Sequence, residues 1–218
     1  MRLWKIFLCL IIAKKKIFKM LELIFCSNCN KSFDFYKTNY ICNHCNFLNP
    51  LDLSKTNYYN YLSLLPIYNL NQQDLENNYL TLSIKVHPDN FIKKSQTEKI
   101  NSFSHIVYLN ESYNILKDDY KRIEYLYLLK TNHKILTEED KNTNEINLEF
   151  FELNLQIEQE QNKPQLLILQ KNLLAKQQTY LLNIEQAFNN ANYQIVKSNY
   201  IYLKYLNNII LTIKLKLT

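Results

Sequence analysis

The chain contains no glycine in 218 residues. Phosphate-cradling loops and dinucleotide-binding fingerprints need glycine where the backbone approaches the ligand closely. A nucleotide-binding enzyme is therefore disfavoured. Helices that would commonly end on a left-handed glycine must end here on residues such as Asn or Lys. With only four prolines and many Leu, Ile, Lys, Gln and Asn residues, the chain is expected to be mostly helical.

The formal charge of +6 comes entirely from residues 1–21, which hold six Lys or Arg side chains and no acidic one. Residues 22–218 therefore sum to zero. A nucleic-acid-binding domain presents a basic surface on its folded part. The neutral body argues against nucleic acid as a partner.

Residues 1–21 have the composition of a targeting leader. The apolar run 3–13 has basic flanks and is too short to span a bilayer. Three interpretations are open: a mitochondrial presequence, a secretory signal, or sequence upstream of a true start at Met20. The lysines at 14–16 weaken the secretory interpretation. We expect a removed leader and the mitochondrial matrix, with the cytoplasm as alternative, and no stable membrane insertion.

Four cysteines form two C-x-x-C hooks, Cys26 with Cys29 and Cys42 with Cys45. Two such hooks present four thiolates to one tetrahedral ion, as in structural zinc sites. The alternatives are four ordinary cysteines or two disulfides, but a disulfide within a hook belongs to redox chemistry, for which a glycine-free helical chain offers no thioredoxin-like frame. We expect a structural Zn²⁺ held by the four thiolates, with no vacancy for His44.

Apolar spacing predicts a short helix over 58–64 and an amphipathic helix before Pro88. Asn71 or Asp74 marks the start of the second helix. Pro88 ends it, because proline lacks the N–H and disfavours helix in the preceding residue. Its apolar stripe consists of Leu75, Tyr79, Leu82 and Val86.

Longer helices are predicted over 97–116, 120–130, 145–161, 164–189 and 193–217. Aspartates at 118–119 provide a break or cap before the second of these, and Pro164 suits the first turn of the fourth. Short polar connections between the last three predict an antiparallel bundle. The inward-facing residues of the first are predicted to be Ile100, Phe103, Ile106, Leu109 and Tyr113.

His87, Pro88 and Asp89 form a corner between two of these helices. The proline forces the chain out of the helix and exposes the imidazole and the carboxylate on a short loop. A carboxylate beside basic neighbours such as Lys85 suits docking to a charged groove. Neither a nucleophile nor a paired acid accompanies it in the sequence, so no enzymatic activity is expected.

These residues resemble the J-domain proteins, and within them the HscB type. The matching motifs are Y-Y-x-Y-L-x-L over 58–64, V-H-P-D-x-F over 86–91, S-Q-T-E-K over 95–99, N-x-x-Y-x-x-L over 110–116 and R-x-E-Y-L over 122–126. The family's glycine after the last motif is missing, and Thr131 stands near its place. The four-cysteine module resembles that of the animal mitochondrial members.

The bundle carries two further resemblances, I-x-L-E-x-F-E-L over 146–153 and L-K-Y-L over 203–206. In the HscB type this face binds the iron–sulfur cluster scaffold protein. The resemblance implies contact through Leu148, Phe151, Glu152 and Tyr205. Two residues depart from the family pattern: Asn147 replaces an apolar residue, and Leu155 stands where an acid is common.

On spacing alone, Leu148, Phe151 and Leu155 form a stripe at i, i+3 and i+7 that predicts core packing. The resemblance instead shifts Leu148 and Phe151 toward an exposed partner site. His105 and His133 are interpreted as ordinary core or surface histidines without a role.

The sequence thus predicts a mainly α chain with a leader (1–21), a four-cysteine zinc module (22–52), a J-domain (53–134) and a three-helix scaffold-binding bundle (135–218). The resemblance implies a co-chaperone that binds the scaffold protein and presents its proline corner and Lys85 to a DnaK-class chaperone, whose ATPase it stimulates. The alternatives are a general J-domain co-chaperone for unfolded clients and a zinc-ribbon nucleic-acid binder.

Overall fold

The computed structural model describes residues 23–34, 40–137 and 144–217. The predicted leader lies outside these residues. Within them the chain is mainly helical, with one small antiparallel sheet, so the predicted fold class is confirmed. The chain divides into two compact units. One contains the residues up to Leu65 and Asn71–Leu116, and the other contains Pro66–Leu70 and the residues from Lys117 on.

Within its described residues, the first unit contains two strands and three helices. The strands are β1 (Leu23–Phe25) and β2 (Ser32–Asp34), which pair antiparallel. The helices are α1 (Tyr58–Tyr61), α2 (Gln72–Val86) and α3 (Gln96–Lys117), and a single 3₁₀ turn (Pro88–Phe91) separates α2 from α3.

Local capping explains where these helices begin. The Asn71 side chain accepts hydrogen bonds from the first-turn N–H groups of α2. Before α3, Ser95 and Glu98 form a reciprocal capping box, in which the Ser95 N–H and hydroxyl donate to the Glu98 carboxylate and the Glu98 N–H donates back to the hydroxyl. The motif over 95–99 therefore fixes the start of α3.

The core of the first unit confirms the predicted stripe of α2 and corrects that of α3. Leu75, Leu82 and Val86 are buried. Leu109 of α3 is buried as predicted, but Ile100 and Phe103 are 56% and 61% exposed. The prediction that these two face inward was wrong. The inner face of α3 instead carries polar side chains, among them Asn101, Ser102 and His105.

Four helices lie in the part of the second unit that the structure describes. They are α4 (Asp119–Thr131), α5 (Asn144–Gln159), α6 (Lys163–Asn189) and α7 (Tyr193–Leu217), and α7 packs on the other three. Helix α4 is capped at its start by Asp118 and at its end by Asn132, which has a φ of 60°. The last three helices form the predicted bundle around an apolar core of Phe150, Ile157, Leu166, Leu173, Leu206, Ile209 and Ile213.

The motif over 122–126 joins α4 to its neighbours in this unit. Buried Arg122 donates from Nε to the Tyr68 carbonyl at 2.9 Å and pairs with Asp119. Its guanidinium lies 5.0 Å from the centre of the Tyr68 ring. The Tyr200 hydroxyl of α7 donates to the Glu124 carboxylate. The charge of Arg122 is therefore buried with partners that offset its desolvation.

Among the helices of the described ranges, no stretch is both long and apolar enough to cross a bilayer.

Candidate functional site

Each C-x-x-C hook is a tight turn closed by the same backbone hydrogen bond. The Asn30 N–H donates to the Cys26 carbonyl and the Asn46 N–H donates to the Cys42 carbonyl, both at 2.9 Å. Asn30 and Asn46 both have a φ of 56°. Asparagine tolerates this left-handed conformation, and it stands where glycine would be the usual choice. The two hooks are therefore local copies of one another.

The hooks bring four thiols together. The Sγ atoms of Cys26, Cys29, Cys42 and Cys45 all lie within 4.8 Å of one another. Cys26 is 3.6 Å from Cys45, and Cys29 is 3.7 Å from Cys42. A tetrahedral Zn²⁺ with bonds of about 2.3 Å places its sulfurs about 3.8 Å apart. The four cysteines are free rather than disulfide-bonded, and they could hold one metal ion.

Hydrogen-bond donors surround the sulfurs. The Asn28 N–H lies 3.4 Å from Cys26 Sγ, and the Asn28 side-chain amide lies 3.7 Å from Cys45 Sγ. Burial raises the pKa of the Cys45 thiol, but the Asn28 side-chain amide, the Phe47 backbone and the neighbouring thiols lower it to about 7 overall. The Lys31 backbone lowers the pKa of Cys29, but burial and the other three thiols raise it to about 11. The His44 N–H lies 3.4 Å from Cys42 Sγ. Donors of this kind favour the thiolate form that metal binding needs.

The proline corner lies at the surface of the first unit. Helix α2 ends at Val86, and the side chains of His87 and Asp89 are 50% and 79% exposed. The Asp89 N–H donates to His87 Nδ1 at 3.3 Å, and the Asn90 side chain donates to the carbonyl of Ile84 at 2.6 Å. The predicted break between two helices is therefore confirmed, and short hydrogen-bonded turns order the corner.

A groove of about 330 Å³ opens beside the corner, lined by Pro88, Asp89, Ile92, Lys99 and Phe103. Ile92 and Phe103 are 65% and 61% exposed, so their apolar surfaces are available to a partner. Lys85 is also exposed, in the last turn of α2. The prediction from sequence missed Ile92 and Phe103, because apolar spacing assigned Phe103 to the core.

The predicted scaffold-binding residues of α5 lie at the surface. Leu148, Phe151 and Leu155 are 60%, 59% and 40% exposed, and we call these three residues the α5 patch. The core interpretation of this stripe was wrong. Helix α5 has a second apolar stripe, which includes Phe150 and Ile157 and is the one that packs in the bundle core.

The remaining two predicted scaffold residues differ in their surroundings. Glu152 is exposed on α5, next to Phe151 of the α5 patch. The Tyr205 ring is partly buried and stacks on the Phe150 ring, with centres 5.1 Å apart and planes 15° apart. Three predicted residues thus lie on the exposed side of α5, and Tyr205 packs against the bundle core.

Comparisons with known proteins match both parts of the chain. Residues 148–214 match the family described as the HSCB C-terminal oligomerisation domain. The mouse protein named iron-sulfur cluster co-chaperone protein HscB is 29% identical over 181 residues, which cover 82% of this chain and 76% of that protein. The crystal structure of human co-chaperone protein HscB matches with a TM-score of 0.77 at 25% identity, covering 88% of this chain and 98% of that one. Chaperone HscB from Vibrio cholerae shares the fold, with a TM-score of 0.67 at 21% identity over 72% of this chain and 96% of that one.

The chain therefore combines a four-cysteine module, a proline-cornered helical hairpin and a C-terminal three-helix bundle, which is the architecture that its resemblance to the J-domain co-chaperones predicts. Within that class, the chain is similar to the HscB-type co-chaperones in its C-terminal family match, its sequence and its fold. The resemblance that its motifs indicate is therefore confirmed.

Proposed function

We propose that this chain binds the iron–sulfur cluster scaffold protein, delivers it to a DnaK-class chaperone and stimulates that chaperone's ATPase during iron–sulfur cluster assembly and transfer. The observation that carries this proposal is the exposed corner of His87, Pro88 and Asp89, ordered by its own hydrogen bonds and placed beside an open groove. A preorganised, unreactive turn suits recognition, because little conformational entropy is lost when a partner binds it.

The corner offers charge and shape to the chaperone. The Asp89 carboxylate pairs with a basic group of the partner, and exposed Lys85, two residues before the corner, adds a positive charge. Such charges speed association and select the orientation of docking. The chaperone carries out the ATP hydrolysis.

The α5 patch and Glu152 form the scaffold-binding face. An apolar cluster left at the surface, with an acidic residue beside it, is the usual composition of a protein-binding site. Tyr205 supports this face from α7 through its stack on Phe150. Because the client site and the corner are on one chain, the scaffold reaches the chaperone at a high effective concentration.

The four cysteines hold a structural Zn²⁺ in this proposal. The sulfur separations of 3.6 and 3.7 Å fit a tetrahedral site closed by protein ligands. The composition of residues 1–21 supports import into the mitochondrial matrix, with the cytoplasm as the alternative.

Cys42→Ser is expected to weaken zinc binding at least about 100-fold, since even outer-shell partners of a metal contribute 10- to 100-fold. Metal content and competition with a chelator measure this effect. In the uncleaved chain, Cys9→Ser, at the one cysteine outside the two hooks, is the matched control and should keep one zinc per chain. Zinc bound equally well by the Cys42 variant, or no zinc on the wild-type chain, would contradict the metal assignment.

Client choice separates the proposed function from a general J-domain co-chaperone. We expect the full chain to bind the folded scaffold protein with at least about tenfold higher affinity than an unfolded polypeptide, a difference of about 1.4 kcal/mol. Isothermal titration against both ligands measures it. Preference for the unfolded polypeptide would favour the general co-chaperone instead.

A further inference from the structure

Buried side chains of α3 hold the cysteine module in place. The Asn101 side-chain amide donates to the Leu48 carbonyl at 2.7 Å, and His105 Nε2 lies 2.9 Å from the Asn49 carbonyl. Asn101 is 7% exposed and His105 is fully buried. Leu48 follows Cys45, the last cysteine, by three residues. Helix α3 therefore forms two hydrogen bonds, one helical turn apart, with the residues that follow the second hook.

Asn49, which accepts one of these hydrogen bonds, also contacts the first hook. Its side-chain oxygen accepts from the Ser27 N–H at 2.9 Å, and Ser27 lies between the cysteines of the first hook. The Asn49 amide also donates to the Tyr40 carbonyl at 3.3 Å, and the Tyr40 ring is centred 4.5 Å from His105. Asn49 thus contacts α3 through its backbone carbonyl and the first hook through its side chain. Both contacts form together only when the two hooks are close to one another.

The next residue of α3 holds the proline corner. The Ser102 hydroxyl, which is fully buried, donates to the Val86 carbonyl at 2.6 Å. Val86 is the last residue of α2 and directly precedes His87. Carbonyls in the last turn of a helix have no partner within the helix, so this hydrogen bond satisfies one that would otherwise need water. Asn101 and Ser102, adjacent in sequence, therefore contact the module and the corner respectively.

We propose that the cysteine module is a metal-dependent brace for the chaperone-docking corner. This inference rests on the proposed function, for both the metal at the cysteines and the role of the corner. Metal binding keeps the two hooks together and so keeps the acceptors of Asn101 and His105 in place. When the hooks separate, the buried side chains of Asn101 and His105 each lose a hydrogen bond to the module, which is unfavourable. The first half of α3 then shifts, and the hydrogen bond from Ser102 to the end of α2 weakens.

Amide hydrogen exchange of the full chain tests the brace directly. Removing zinc with a chelator is expected to speed exchange at residues 84–92 by roughly threefold to tenfold, the range that one buried hydrogen bond contributes. Exchange in α7 should not change, which controls for global unfolding. Unchanged exchange at 84–92, with faster exchange at the hooks, would overturn the proposal.

Variants of α3 locate the connection. In Ser102→Ala, the amides of residues 84–92 should exchange faster than in the wild-type chain even with zinc bound, and removing zinc should speed that exchange less than about twofold. Because coupling is reciprocal, this variant should also bind zinc more weakly, by the factor that its exchange response to zinc has lost. Ser104→Ala, an exposed serine of the same helix, should respond to zinc removal like the wild-type chain.

Asn101→Ala provides a second test and should weaken zinc binding roughly threefold to tenfold. The control Asn114→Ala, at an exposed asparagine of the same helix, should not. Wild-type zinc affinity in Asn101→Ala would refute the brace.

Failure of the brace is distinguishable from failure of the proposed function. Exchange and zinc affinity are measured without a chaperone, whereas ATPase stimulation needs one. A corner that responds to zinc in a chain that stimulates no ATPase would overturn the proposed function alone. A corner that ignores zinc in a chain that stimulates the ATPase would overturn the brace alone.

Discussion

His87→Gln is expected to abolish measurable stimulation of a DnaK-class ATPase while leaving scaffold binding intact. The imidazole is half exposed, and its Nδ1 accepts from the Asp89 N–H, so it orders the turn and its surface is open to a partner. Loss of one such contact at the centre of an interface costs about 2 kcal/mol or more, which is roughly 30-fold or greater. Steady-state ATP hydrolysis by the chaperone, titrated with each variant, measures the effect.

His133→Gln is the matched control, since this histidine is also exposed but lies beyond the end of α4. It should stimulate like the wild-type chain. Both variants should bind the scaffold protein normally and unfold at the wild-type temperature. Equal stimulation by the His87 variant and the wild-type chain would remove the corner from the mechanism.

Replacing both Leu148 and Phe151 with alanine is expected to weaken scaffold binding about 100-fold or more. Large apolar side chains at the centre of an interface contribute about 2 kcal/mol each when truncated. Because both side chains are already about 60% exposed in the free chain, their loss leaves no internal cavity. Stability should therefore change little, by up to about 0.5 kcal/mol per site. Titration calorimetry gives the affinity and thermal unfolding gives the stability.

Two comparison variants make this result specific. Leu167→Ala with Leu182→Ala removes two exposed leucines of α6 and should leave scaffold affinity unchanged. Phe150→Ala, one residue from the patch but 3% exposed, should lose about 3 to 5 kcal/mol of stability. Wild-type affinity in the double variant of the α5 patch would place the scaffold site elsewhere.

Local signals predicted most helix boundaries. Asn71 and Asp118 cap α2 and α4 as their positions in the sequence indicate, and Pro164 stands in the first turn of α6. The predicted range 193–217 coincides with α7. Such signals involve residues close in sequence, so no knowledge of the tertiary fold is needed to find them.

The inner face of α3 could not be predicted in this way. Ile100 and Phe103 have apolar spacing, yet Asn101 and His105 face inward because the carbonyls of Leu48 and Asn49 accept their hydrogen bonds. Those acceptors lie more than 50 residues earlier in the chain. A polar side chain can be buried where a distant partner satisfies it, and periodicity gives no information about such partners.

Helix α5 shows a second limit of prediction from the sequence. It carries two apolar stripes, one with Phe150 and Ile157 and the other forming the α5 patch. Spacing alone cannot decide which stripe meets α6 and α7, since both have helical periodicity. The family resemblance correctly favoured exposure of Leu148 and Phe151. The hooks, by contrast, follow from the paired C-x-x-C spacing itself.

The most direct measurement is the ATPase rate of a mitochondrial DnaK-class chaperone with the co-chaperone, with the scaffold protein, and with both. If one chain joins the scaffold to the chaperone, the two together should raise the rate well above the sum of their separate effects. The double variant of the α5 patch should reduce this excess and keep the stimulation by the co-chaperone alone. If the wild-type chain and the scaffold protein together raise the rate only by the sum of their separate effects, the proposed coupling of scaffold binding to the proline corner is contradicted.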